Sequence, residues 1–264
     1  MYVGPRRARR GEATGAPRLR RQLAVTGTDQ ALRIGRAIVE AKIRKQIVVL
    51  QRFGRREHAE LVTDAIRRAE HSLLMLPDCR TVDEVMGMEG AAAAAYFPAY
   101  GGLLPEGLRF DTRSRQPPMD VANSALSFLY TILLGECVTA LYAAGLDPHL
   151  GVLHADHEDR PSLALDLVEE FRPLVVDQVV LEAARQGRLT TAHGRVEDGR
   201  TGVMLTQAGR EAVIDGYEKR MLRETKGALP GFAGSIRRHV YRQAQRLRAA
   251  ILDPEIEWSG LSWR

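Results

Sequence analysis

The chain has 264 residues, 45% of them hydrophobic, enough to bury one large core or two small ones. Lys plus Arg number 38 against 33 Asp plus Glu, and this net charge of +5 permits contact with nucleic acid without demonstrating it. An aromatic share of 6% argues against a stacking platform for single strands; the apolar runs break before about 18 residues, so no membrane span is expected, and no apolar core follows the N-terminal arginines as a secretory signal requires.

Residues 1–28 are basic and Gly-rich, with Arg6, Arg7, Arg9, Arg10, Arg18 and Arg20 followed by Arg21. They read as a basic tail, with a short strand over Leu19–Val25. Asp29–Arg52 is a helix with Leu32, Ile34, Ile38, Val39, Ile43, Ile47 and Leu50 on its apolar side. Lys42, Arg44, Lys45 and Arg52 make the other side basic, a solvated face or else a phosphate track. Ala59–Leu76 is a second helix, ended by Pro77, and Thr81 with Glu84 three residues on forms a capping box for a third. That helix holds Gly87-Met88-Glu89-Gly90, five alanines and Tyr96-Phe97. An alanine run lets a neighbour pack closely, so Glu89 either lies against other backbone and needs a base, hydrogen bonds or a metal, or is a surface glutamate at a helix start. Tyr100–Met119 is a loop rich in Gly and Pro. Its Arg113 and Arg115, beside Pro117-Pro118, suit phosphate contact or plain solvation. Asp120 opens a long apolar helix, Ala125–Ala144, with Asn123 in its first turn and Gly145-Leu-Asp-Pro148 as its stop. Cys79 and Cys137 lack metal-type spacing and read as small buried hydrophobes in a reducing cytoplasm.

Residues 151–173 organise the chain. His154 sits in a short loop, and apolar residues at 163, 167, 171, 174 and 181 then mark the stripe of a buried amphipathic helix. Asp166, Glu169 and Glu170 lie off that stripe; at about 100° per residue, three steps leave roughly 60° and four about 40° between side chains. Pro161 suits the first turn, with Asp159 or Ser162 as its cap. One histidine and two or three acids therefore converge, as a metal site or as a solvated acidic face beside a structural histidine. Gln186–Gly202 reads as a flexible surface loop, Thr206–Arg223 as a helix and 226–234 as Gly-rich. Ser235–Leu252 is a basic helix with Ile236, Val240, Leu247 and Ile251 inward. Its Arg237, Arg238 and Arg242 face outward, for DNA phosphate or for solvent. Trp258 and Trp263-Arg264 are expected to pack on the body. No internal repeat is found. The expected fold class is mainly α, a multi-helical domain over 29–264 with at most a short β remnant in 1–28.

Three separated features carry a resemblance: Met88-Glu89-Gly90-Ala with Tyr96-Phe97; Pro117-Pro118-x-Asp120-x-x-Asn123 leading to Ser127-Phe-Leu-Tyr130; and His154 followed by Arg160-Pro-Ser-Leu-x-Leu-Asp166-Leu-x-Glu169-Glu170-Phe-Arg-Pro173. From about Leu23 onward the chain resembles the CRISPR-associated integrase of spacer acquisition, the universal endonuclease/integrase subunit of bacterial adaptation modules. The resemblance implies a helical catalytic domain holding one Mg²⁺ or Mn²⁺ ion through Glu89, His154 and Glu169, with Asp166 in support and Glu170 as the weaker substitute. Hard carboxylates suit Mg²⁺, and an imidazole makes Mn²⁺ equally acceptable. It implies strand transfer of a DNA fragment's 3′-OH into a repeat array in the cytoplasm, in defence against foreign DNA. The implied partners are DNA, a second copy of the chain and a small ferredoxin-like CRISPR-associated dimeric subunit. Family members begin with a β-sandwich domain used in dimerisation, of which 1–28 would hold only the last strand. The alternative is a non-catalytic helical module that binds DNA or a partner. Two departures stand out: Lys45 where the family usually has Asn, and Val121-Ala122 in place of a usual Pro-Val.

Overall fold

Helix boundaries follow the capping residues. In the computed structural model the described residues are 15–54, 59–155, 159–197, 199 and 201–263; the basic stretch through Arg10 and the terminal Arg264 lie outside them. Helix α1 spans Gly15–Val25 and α2 Asp29–Phe53, with the Thr28 hydroxyl accepting from the Ala31 amide. Helix α3, Ala59–Met75, runs into a 3-10 turn at Pro77, and α4 spans Val82–Gly102. Thr81 caps α4 as expected, while Glu84 reaches the Arg80 amide, one residue before the cap. Helix α5, Val121–Ala144, opens on Asp120, whose Oδ1 accepts from the Asn123 amide at 2.7 Å, and closes on Gly145 at φ 76°, a left-handed conformation that glycine adopts without strain. Helices α6 (Ser162–Phe171) and α7 (Gln178–Arg185) are joined by a π-helical turn, Arg172–Asp177. Pro173 donates no hydrogen bond there and its ring crowds the carbonyl of residue 169, which favours the wider turn. Helix α8 is Gln207–Met221 and α9 is Ile236–Leu252, capped by Thr206 and Ser235.

Several local expectations are corrected. Leu19–Val25 is helical, not a strand: Gln22 and Val25, three apart, are buried, and the Gln22 amide bonds the Asp147 carbonyl at 2.7 Å. Loop 100–119 begins only at Leu103, because α4 continues to Gly102 and Gly101, lacking a Cβ, lets it press against the Phe110 carbonyl. Residues 186–202 are not merely loop: β1 (Gly194–Arg195) pairs antiparallel with β2 (Met204–Leu205), and the Val203 amide bonds the Pro118 carbonyl at 2.8 Å. The Gly-rich 226–234 region is a hairpin of β3 (Glu224–Leu229) and β4 (Phe232–Ser235). Neither Asp159 nor Ser162 caps α6; Ser162 Oγ donates to the Ala155 carbonyl instead, at 2.8 Å.

The architecture is mainly α, as expected. Helix α2 packs on α4 and α6, and α5 packs on α6, α8 and α9. By length and composition α5 suffices to cross a membrane, yet Leu126, Leu129, Leu133 and Leu141 are fully buried against protein. Glu136, which interrupts its apolar run, is bonded by Arg237 and Tyr217. Trp258 is buried, and Trp263 stacks under Arg220 at 5.4 Å.

Asp177 ties three of these elements together. Its carboxylate accepts from Tyr96 Oη at 2.7 Å and Tyr130 Oη at 2.5 Å, and its carbonyl accepts from Tyr100 Oη at 2.9 Å. Burial raises its carboxyl to about 6, against the opposing effect of the two hydroxyl bonds. The fold therefore favours the protonated form. That contribution to stability is complete below the ordinary carboxyl range and is lost as pH rises through about 6. Asp177→Asn does not titrate. Its melting temperature relative to wild type should rise between about pH 4 and pH 6 and then level off; a difference independent of pH across that window would refute the assignment.

Candidate metal centre

The loop Gly151–His154 folds over the first half of α6 onto Asp166. That carboxylate is fully buried. Its Oδ2 accepts the amides of Val152 at 2.7 Å and Leu153 at 3.1 Å, and its Oδ1 accepts the His154 amide at 2.9 Å. The His154 ring bonds the same Oδ1 through Nδ1 at 2.7 Å. Gly151 makes the tight turn feasible, since a Cβ there would sit 2.8 Å from Ser162 Cβ. A carboxylate on Nδ1 places the proton there and leaves Nε2 with its lone pair outward, the arrangement of a metal-ligating histidine.

Nε2 points toward Glu169, whose Oε1 is 4.0 Å away. Glu169 lies on α6 just under one turn beyond Asp166, and Glu89 approaches from α4. Between the two glutamates stands the ammonium of Lys42, from α2, in contact with Glu89 Oε1 and Glu169 Oε2. Arg172, on the π turn, brings Nη2 to 3.6 Å from Glu169 Oε1 and lies over the Tyr130 ring at 4.8 Å. The cluster opens at one side: the Glu169 side chain is 5% exposed, His154 13% and Glu89 16%. Burial alone would push the Glu169 carboxyl up, but Arg172 and Lys42 reverse it and hold it at about 2. Burial works against the Lys42 charge, and Glu169 and Glu89 outweigh it, so its pKa is raised.

Thus Glu89, His154 and Glu169 do converge. Among the described residues, no three His, Cys, Asp or Glu side chains are close enough as they stand to enclose a metal ion; the Lys42 ammonium occupies the space between the two glutamates and bridges them. The residues nonetheless fit a divalent cation. Lys42 marks a place where positive charge is already stabilised, and the buried Glu169 Oε2 is met there by that ammonium. Two carboxylates and one imidazole nitrogen are a suitable donor set for Mg²⁺ or Mn²⁺. Glu170 is not a substitute ligand. It turns to Lys45 Nζ at 2.9 Å and Gln243 Nε2 at 2.7 Å, and takes the Leu261 amide.

The basic residues divide. Lys42 and Lys45, expected on a solvated face, are buried. Arg237 is not available for phosphate: it forks onto Glu136 at 2.9 Å and Glu218 at 2.9 Å. Arg113 is half-buried, bonding Asn123 Oδ1 at 2.8 Å and Ser127 Oγ at 2.9 Å over the Tyr130 ring. Arg115, Arg238 and Arg242 are exposed. The last two flank Phe232, at 5.6 and 5.9 Å, in a shallow depression of about 400 Å³ shared with Tyr241 and Gln245. Sequence reasoning missed the roles of Lys42 and Arg172, since a cation on a helix gives no local sign of whether a carboxylate from another element will cover it.

The family model for CRISPR associated protein Cas1 matches residues 3–219. The chain is 41% identical over 235 residues to a CRISPR-associated endonuclease Cas1 of Thermus thermophilus, covering 89% of this chain and 69% of that protein. A Rhodospirillum rubrum relative named likewise is 37% identical over 226 residues, covering 81% of this chain and 65% of its own length. Among solved structures, a casposase bound to integration product superposes with TM-score 0.80 at 22% identity, over 94% of this chain and 68% of that one. A Cas1 protein from Thermotoga maritima gives TM-score 0.75 at 24% identity, over 97% and 76%.

The Asp166 brace is the part of the centre that depends on no ion. Asp166→Ala leaves the amides of Val152, Leu153 and His154 without their acceptor, at on the order of 1–3 kcal/mol for each left unsatisfied. Thermal or urea unfolding should show a clearly larger destabilisation than for Glu89→Ala, which sits at the solvent edge and leaves Lys42 paired with Glu169. Equal destabilisation would mean the brace is not what orders the loop.

Proposed function

The chain belongs to the CRISPR-associated Cas1 family, and from that premise we propose that it is a divalent-metal-dependent DNA endonuclease and integrase. Its reaction would be strand transfer of the 3′-OH of a short DNA fragment into a repeat array, in the cytoplasm, as defence against foreign DNA. The observation that carries this reading is that Glu89 and Glu169 meet at one buried positive charge, with His154 Nε2 4.0 Å from Glu169. The relatives named above are called endonucleases, and a fold neighbour was solved with its integration product. Another neighbour, of TM-score 0.83 and 23% identity, covering 98% of this chain and 28% of its own, is a complex of Cas6-RT-Cas1 with Cas2. On that basis the proposed partners are DNA, a second copy of the chain and the small ferredoxin-like CRISPR-associated subunit. The chemistry is assigned to the helical region 29–264.

Glu89, His154 and Glu169 would hold Mg²⁺ or Mn²⁺, which when bound polarises a phosphodiester and helps ionise a hydroxyl or water. Asp166, bonded to Nδ1, holds the His154 ring so that Nε2 would be the ligating nitrogen. Arg172, braced on Tyr130, supplies positive charge beside the phosphate undergoing exchange. Arg115, Arg238 and Arg242 contact DNA further out, through phosphates.

Two measurements check this. Mn²⁺-dependent strand transfer on branched DNA, which runs the reaction in its easier reverse direction, should proceed with wild type and be abolished in Glu89→Ala, His154→Ala and Glu169→Ala. A wild type that binds Mn²⁺ but leaves branched DNA intact would favour a non-catalytic module. For binding, Arg238→Ala with Arg242→Ala should lower the slope of log affinity against log salt by about 2, roughly one for each phosphate that is no longer neutralised. Arg237→Ala should instead lower stability. An unchanged salt slope in the double variant would remove those arginines from the DNA surface.

A further inference from the structure

We propose that Lys42 is an exchangeable counter-ion built into the centre: it holds Glu89 and Glu169 together until a divalent cation enters, then swings out to meet the phosphate of the substrate. The proposal rests on the reading of Glu89, His154 and Glu169 as ion ligands.

Its warrant is the contrast between two buried lysines one turn apart on the same helix. Lys45 is sealed. Its ammonium donates to Glu170 Oε1 at 2.9 Å, the Leu261 carbonyl at 3.0 Å and the Ala41 carbonyl at 3.4 Å, which uses all three of its protons. Glu170 in turn accepts from Gln243 and the Leu261 amide and has no exposed side-chain surface. Nothing in that pair is left over for another ligand. Lys42 differs on each count. Its partners are two carboxylates, Glu89 and Glu169, and no carbonyl. Glu89, on the far side, borders solvent at 16% exposure.

Charge makes the two occupants exclusive. One ammonium between two carboxylates leaves a net charge of about −1, to which Arg172 adds its own positive charge. A divalent cation needs the same oxygens that Lys42 holds, and like charges at that separation repel strongly. Entry of the ion therefore requires the ammonium to leave. The flexible four-carbon stem of lysine permits this without moving α2, and Glu89 marks the open side. A phosphodiester brought to the ion is the nearest new anion, and a point-charge donor suits it.

Two experiments test this on the full chain. First, amine acylation read by mass spectrometry on wild type, without metal and at saturating Mg²⁺, should show Lys42 protected without metal and several-fold more reactive with it. Lys45 should stay protected in both. Second, Mn²⁺ titration should give binding about tenfold tighter for Lys42→Met than for wild type, as expected when a competing unit charge is removed. Lys42→Arg should keep the weaker, wild-type-like affinity. The proposal is overturned if Lys42 stays as protected as Lys45 with Mg²⁺ bound, or if Lys42→Met binds no tighter. Should Lys42→Met fail to fold, the acylation result decides. If neither wild type nor Lys42→Met binds Mn²⁺, the metal-centre reading itself fails, and the proposal with it.

Discussion

Asp166, Glu169, Glu170 and Asp177 are all buried within one helical run, and each must find donors there or cost several kcal/mol. The structure meets that demand in four different ways. Asp166 takes three backbone amides and a histidine. Glu170 takes a lysine, a glutamine and an amide from the C-terminal segment. Asp177 takes two tyrosine hydroxyls and drifts toward neutrality. Glu169 alone faces mainly cations. These solutions recruit the 151–154 loop, α2, α4, α5, α9 and the C-terminal segment to one helix. Much of the tertiary arrangement is therefore the set of partners these acids require.

Of the four, Glu169 is held among the described residues by side-chain cations, Lys42 and Arg172, rather than by backbone amides. A network closed by backbone amides is rigid, whereas one closed by flexible side chains is freer to rearrange. The wide π turn after Phe171 contributes to the same end. It sets Arg172 against Glu169 and Tyr130, and carries Asp177 to the tyrosines of α4 and α5.

The helices were legible where their ends are chemical: Thr81 and Asp120 open α4 and α5 as read, and Gly145 stops α5, while the Thr28 and Ser235 caps emerge only in the structure. The Glu89, His154 and Glu169 convergence was legible through the motif resemblance, since it unites three segments that no local pattern connects. Charge placement was not. Arginine and lysine on a helix read as solvated, yet Lys42 and Lys45 are buried and Arg237 is clasped by two glutamates, because what covers them arrives from residues far along the chain. Leu19–Val25 misled for a related reason. Its arginines obscure a period set by Gln22 and Val25, and Gln22 is held by the Asp147 and Leu150 carbonyls, far along the chain.

The rigid and the exchangeable parts of the centre are carried by different chemistry. Backbone amides on Asp166 cannot leave without unfolding the loop, so His154 keeps its orientation whatever lies beside it. An ammonium on a flexible stem can leave at the cost of rotamer changes alone, provided another cation takes its charge. With amides on Asp166 and a lysine between Glu89 and Glu169, the buried acidic pair is partly neutralised by a side chain while the histidine beside it is fixed by backbone. The groups in that arrangement come from α2, α4, the 151–154 loop and α6, with Arg172 of the π turn beside them.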